Sequence, residues 1–300
     1  MTVRIHVGAH KTATTHLQSA LREVRADLAR AGMGYIGPGR LRGGNGSLEQ
    51  CLRQPGRAGA ASRAVGESLR AARAQFGDLL LSEENILGGT RRSHIFGPEG
   101  MLYPRAVERL RYVITLLGRP RASVFLSVRD PASFVVSAFH QQVLSAREVL
   151  IEDYVRDVPV AALGWAELAG RIAAMPSVTR VIVWRYEDYR ALRPEICARM
   201  LRPELAGLVP DPAPNNTGMS QAAYELYTKR ALEDIEAPLK DLVKEAMRAL
   251  PRGPDRPGLR LLDDETYARS AAHYAAEIER IAQIPGVELL RPPSSPAPAG

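Results

Sequence analysis

The sequence predicts an α/β fold, a three-layer sandwich with a central parallel sheet flanked by helices, and three observations carry that prediction. Short β-forming runs, at 3–7, 78–82, 122–128 and 180–185, alternate with stretches whose apolar residues recur at helical spacing. The run DLLLS is continuously apolar, as a parallel strand buried on both faces requires. The runs end in polar residues, where open α/β sheets place their ligands. With 300 residues, 45% hydrophobic and 24% charged, the chain is long enough to bury a substantial core.

The first run, Val3, Ile5 and Val7, reaches Gly8 and a polar loop that carries Lys11 among Thr12, Thr14 and Thr15. Leu17, Ala20, Leu21, Val24 and Leu28 then recur at helical spacing. The loop therefore opens a helix whose first N–H groups lack partners and whose dipole end is positive, an anion site suited to phosphate. The plain alternative is a βα turn with threonine caps and a solvated lysine. The position directly after the first strand, and the hydroxyls stacked beside one cation, favour phosphate.

Residues Tyr35 to Ser47 are rich in Gly and Pro and are expected to form a surface loop without regular structure. A helix over 61–76 leads to the strand 78–82, which ends in Glu83, Glu84 and Asn85. A helix over 105–117 leads to the strand 122–128 and to Arg129, followed by Asp130 as N-cap and Pro131 at the first helical position. A helix over 164–175 precedes the strand 180–185, which ends in Tyr186, Glu187 and Asp188. Residues 203–218 are expected to be loop, and helices are predicted over 220–235, 238–250 and 263–284. We expect one domain over 1–290 with a helical C-terminal part, and a disordered tail over 291–300.

The net charge of +7 and the pI near 9.6 favour anionic ligands. The basic residues are scattered arginines rather than blocks, so nucleic acid is not indicated. Cys51 and Cys197 have no metal-ligand spacing around them and are expected to be reduced, packed thiols, with no metal site. No apolar run approaches the roughly 20 residues of a membrane span. The expectation is a cytoplasmic protein with a small-molecule or glycan partner.

At this point two segments resemble a known family. HKTATTHLQ resembles the 5′-phosphosulfate loop of sulfotransferases that use 3′-phosphoadenosine 5′-phosphosulfate, and SVRDPASFVVSAF resembles their 3′-phosphate segment, in which an Arg is followed eight residues later by a Ser, here Arg129 and Ser137. LLLSEENI and VIVWRYEDY look like further strand-end segments of bacterial members. The resemblance runs in family order from residue 3 to about 220. It implies a P-loop-type nucleotide-binding fold, and a cofactor held by Lys11, Thr12, Ala13, Thr14, Thr15, Arg129 and Ser137. Asn216 and Thr217 resemble a loop that approaches the nucleotide. Where the family loop usually has Gly this chain has Ala13, which requires φ to stay negative there.

Sulfuryl transfer to a hydroxyl or amine leaves charge on a phosphate oxygen, and a proton must leave the acceptor; positioning and charge stabilisation supply most of the rate. Lys11 is suited to the leaving oxygen of the cofactor, whose product would be adenosine 3′,5′-bisphosphate. The candidate bases are Glu84, then Glu83, with His16 and His10 flanking the loop. A carbohydrate, glycolipid or small molecule is the expected acceptor. The alternatives are a P-loop kinase or NTPase acting on a small substrate, against which the incomplete Gly-x-x-x-x-Gly-Lys-Ser/Thr pattern counts, and a non-catalytic anion-binding scaffold.

Overall fold

The computed structural model of the chain describes residues 2–42, 46–56, 59–147, 149–213 and 218–293. It is an α/β protein built on a six-stranded, all-parallel sheet. The strands are β1 (Thr2–His6), β2 (Met33–Ile36), β3 (Asp78–Ser82), β4 (Ala122–Val128), β5 (Val178–Arg185) and β6 (Val287–Leu289), in the spatial order β2-β3-β1-β4-β5-β6. The longer helices are α1 (Thr14–Glu23), α2 (Ala60–Gln75), α3 (Ala106–Leu116), α4 (Pro131–Leu144), α5 (Ala166–Ala173), α6 (Tyr189–Met200), α7 (Gln221–Glu233), α8 (Leu239–Ala249) and α9 (Asp264–Ala282).

The strand centres are apolar because both sheet faces are covered there, and the two-residue period divides their side chains between two cores. Leu80, Phe125, Ile182 and Trp184 face one core, with Leu17 and Leu21 of α1 and Leu192 and Ile196 of α6. Their neighbours Leu79, Leu81, Val124, Leu126, Val181 and Val183 face the other, with side chains from α2 to α5 and from α7 to α9. A one-residue slip of β4 would exchange Phe125 for Val124 and Leu126, so packing fixes the register. Asp130 caps α4 as expected, its Oδ1 accepting from Ser133 N at 2.9 Å with Pro131 at the first position.

Two expectations are corrected. The segment Tyr35 to Ser47 does not begin as loop: Tyr35 and Ile36 belong to β2, and Pro38–Leu41 is a helical turn. Gly34 fits this strand because a Cβ there would lie 2.5 Å from the Phe76 ring, so tertiary packing rather than strand propensity requires it. Within 203–218, Pro203–Ala206 is likewise a helical turn. β6 is only three residues long and carries no periodic signal of its own. The last seven residues of the expected tail lie outside the described residues.

Candidate functional site

Because β3, β1 and β4 are adjacent, the polar residues that follow each of them meet at one edge of the sheet. After β1, Lys11 and Ala13 take positive φ, 65° and 61°, with Thr12 between them. Alternating backbone signs of this kind turn successive N–H groups toward one side and make an anion nest. Ala13 therefore does not keep the negative φ expected of it, and a left-handed alanine costs about 1 kcal/mol relative to the right-handed form. The first backbone bond of α1 runs from Leu17 N to Ala13 O at 3.2 Å, so the amides of Thr14, Thr15 and His16 precede it and open onto the nest. Gly8 must lack a side chain: at φ 34°, a Cβ would lie 2.8 Å from Thr14 Oγ1, 2.9 Å from Ser127 Oγ and 3.0 Å from His6 Nε2.

The threonines divide between two tasks. Thr12 is buried; its hydroxyl donates to Ala9 O at 2.5 Å and accepts from Ser127 Oγ at 2.5 Å, so it closes the loop on itself. Thr14 is buried beside it at 3.5 Å, and Thr15 is exposed. Lys11 is half-buried and has no carboxylate partner among the described residues. Burial, and then the Arg129 charge, hold its ammonium below the usual lysine range.

Arg129, at the end of β4, donates from Nη1 to Lys11 O at 3.1 Å, a contact across 118 residues of sequence. Its guanidinium also lies 4.7 Å over the Tyr186 ring. Trp165 Nε1 donates to Arg129 O at 2.7 Å, so this tryptophan is a core residue that holds the strand end. Ser137 is half-buried on α4. One turn further on, His140 is buried, accepts from Met219 N at 3.3 Å and is pushed down to about 4 by burial, with the Lys11 and Arg252 charges contributing. Glu187 accepts from Asp130 N at 3.0 Å and from Tyr274 OH at 3.1 Å, a structural role at the strand edge.

The glutamates after β3 share one cation. Arg42 donates to Glu83 from Nε at 2.8 Å and from Nη2 at 2.6 Å, and Nη2 also lies 2.6 Å from Glu84 Oε1. The Glu83 side chain is 2% exposed and that of Glu84 12%. Burial raises Glu83 above the usual carboxylate range despite Arg42. At Glu84 burial is again the largest influence and acts in the same direction, but the charges of Arg42 and His10, with hydrogen bonds from Arg42 and the backbone, together outweigh it and leave the group below that range. Arg42 is thus the largest of the influences that keep Glu84 ionised, at the more open of the two positions.

Both candidate histidines have their ring nitrogens engaged. His10 Nδ1 lies 2.8 Å from Tyr103 OH and Nε2 lies 3.2 Å from Asn85 Oδ1, and burial lowers its pKa. His16 lies on the opposite side, its Nε2 2.7 Å from Pro212 O and its Nδ1 3.0 Å from Tyr189 OH. Asn216 and Thr217 lie outside the described residues. Sequence reasoning missed Arg42, Gln18 and the Arg252 charge that acts with Lys11 on His140. Only Gln18 had a local signal, lying one helical turn after Thr14.

No family model, no curated protein and no solved structure matches the chain. Among the described residues no helix is long and apolar enough to cross a membrane, and no group of three or more His, Cys, Asp or Glu stands in a metal-ligating arrangement.

Proposed function

We propose that the chain is a sulfotransferase that takes the sulfuryl group from 3′-phosphoadenosine 5′-phosphosulfate and passes it to a hydroxyl or amine of a carbohydrate, glycolipid or small molecule. The observation that carries this reading is the bond from Arg129 to the Lys11 carbonyl, which joins the two phosphate-like motifs at one strand edge. The donor set suits a ligand with two separated anionic groups: Lys11, Thr14, Thr15 and the open amides of α1 on one side, Arg129 and Ser137 on the other. When bound, the cofactor supplies the activated sulfuryl group.

The residues then divide the work. Lys11 neutralises charge at the leaving phosphate oxygen, and with no carboxylate partner among the described residues it is available for that task. Arg129, held by Tyr186 and Lys11 O, binds the 3′-phosphate together with Ser137. Glu84 accepts the acceptor proton, being ionised and more open than Glu83, whereas His10 and His16 have their nitrogens engaged. A kinase reading would need Asp130 for magnesium, but its carboxylate accepts from Ser133 N and from Ser270 Oγ. A non-catalytic anion-binding protein is the second reading, favoured by the engagement of both glutamates by Arg42.

Thermal unfolding with adenosine 3′,5′-bisphosphate, without magnesium, against magnesium-ATP tests the nucleotide; a ligand at 100 times its Kd stabilises by about 2.7 kcal/mol. Stabilisation by the bisphosphate alone is expected, and preference for magnesium-ATP overturns the reading. A radiolabelled transfer screen over glycan and small-molecule acceptors separates the enzyme from the scaffold. A bisphosphate-binding protein that transfers to none of them is the scaffold.

A further inference from the structure

Helix α1 does more than open the anion nest. Gln18 lies one turn beyond Thr14 and is buried, with its side chain directed at the end of β3. Gln18 Nε2 donates to Glu84 Oε2 at 2.9 Å and to Ser82 Oγ at 3.1 Å. The orientation of this amide is settled by chemistry: an ionised carboxylate only accepts, so the group facing Glu84 is the NH2, and its two hydrogens match the two oxygens. Ser82 is held in turn by His6, whose Nδ1 lies 2.8 Å from Ser82 Oγ. Arg42 meets Glu84 from the other side at Oε1. The Glu84 carboxylate is therefore gripped between a part-exposed cation, Arg42, and a buried amide that belongs to the nest helix.

We propose that Gln18 is a positioning residue that locks Glu84 to α1, so that the anion nest and the carboxylate keep one fixed geometry. The proposal rests on the reading of Glu84 as the proton acceptor. The two donors differ in consequence. Arg42 supplies charge from a side chain that is 36% exposed. Gln18 supplies direction: it sits in a helix whose Leu17, Ala20 and Leu21 are buried in the core, so its amide cannot follow a displaced carboxylate. Loss of this donor frees one carboxylate oxygen and removes a hydrogen bond to the charged form, which raises its affinity for a proton.

The test replaces Gln18 with Leu, similar in volume without donors, and with Glu, which keeps the shape but puts a second carboxylate in place of the amide. The Glu84 side chain is followed by carbon-13 NMR through a pH titration, with its resonance assigned by Glu84→Gln, and circular dichroism shows that each variant is folded. We expect roughly a tenfold rise in the proton affinity of Glu84 in Gln18→Leu and a larger rise in Gln18→Glu, with bisphosphate binding kept within about threefold. In a transfer assay the acid limb of the kcat/KM profile should move to higher pH by the same factor. An unchanged Glu84 titration in the folded variants overturns the proposal, because a residue that only fills space would leave it unmoved. If the titration moves while no protein, wild type included, transfers sulfate, Gln18 positions Glu84 and the sulfotransferase reading is what fails.

Discussion

Arg42→Leu separates charge from packing at the carboxylate pair. The guanidinium is the single cation within reach of both glutamates among the described residues, and Glu83 is almost wholly enclosed. Removing one partner of a buried ion pair costs about 3–5 kcal/mol, because the remaining charge is stranded. The Arg42 side chain is 36% exposed, so water already screens part of the interaction, and we expect a loss of about 2–3 kcal/mol at pH 7.

The pH dependence gives the sharper test. Without Arg42 both carboxylates have folded-state pKa values above the unfolded value near 4.3. Groups raised in this way leave stability intact below the unfolded pKa and remove it as pH rises through the folded pKa. The variant should therefore approach wild type near pH 4.5 and fall behind as pH approaches 7. Urea unfolding at the two pH values, with equal m-values, measures this. The same deficit at both would refute the reasoning and assign Arg42 a packing role.

Three further outcomes follow from the site. Lys11→Ala should abolish sulfuryl transfer while leaving the urea midpoint equal to or above that of wild type, since the native ammonium is half-buried beside Arg129; normal turnover would show that Lys11 does not meet the leaving group. Arg129→Ala should weaken bisphosphate binding about 10–100-fold in isothermal titration, the value of hydrogen bonds to a charged group, and unchanged affinity would remove Arg129 from the site. His6 and His140 are both pushed down by burial from 6.5 to about 4, so between those limits the unfolded state binds more protons than the folded one and stability falls as pH falls. Urea unfolding should show a slope of about 1.4 kcal/mol per pH unit for each histidine, reduced by one proton in His140→Gln, and flat stability from pH 6.5 to 5 would contradict the burial argument.

Much of the architecture was legible because its causes are local. The strands 78–82 and 122–128 stand where their apolar runs stand, and the Asp130–Pro131 step starts α4 because an N-cap oxygen and a fixed φ act within one turn. The loop after β1 was legible for the same reason, its helix N-terminus following from periodicity alone. β2 was hidden, since Gly34 reads as a breaker until Phe76 is seen to fill the space beside it.

What only tertiary structure decided is which strand ends lie together. The order β2-β3-β1-β4-β5-β6 sets the β3 carboxylates on one side of the anion loop and Arg129 on the other. It also fixes details that residue spacing does not carry: the sharing of Arg42 by Glu83 and Glu84, the amide of Gln18 on Glu84, and the Lys11 and Arg252 charges that act on His140. Sequence alone determined the residue types and the strand ends and helix starts that bear Lys11, Glu83, Glu84 and Arg129. The charge state of each group came from its neighbours across the sheet, because burial and Coulomb interactions depend on distance in space and not along the chain.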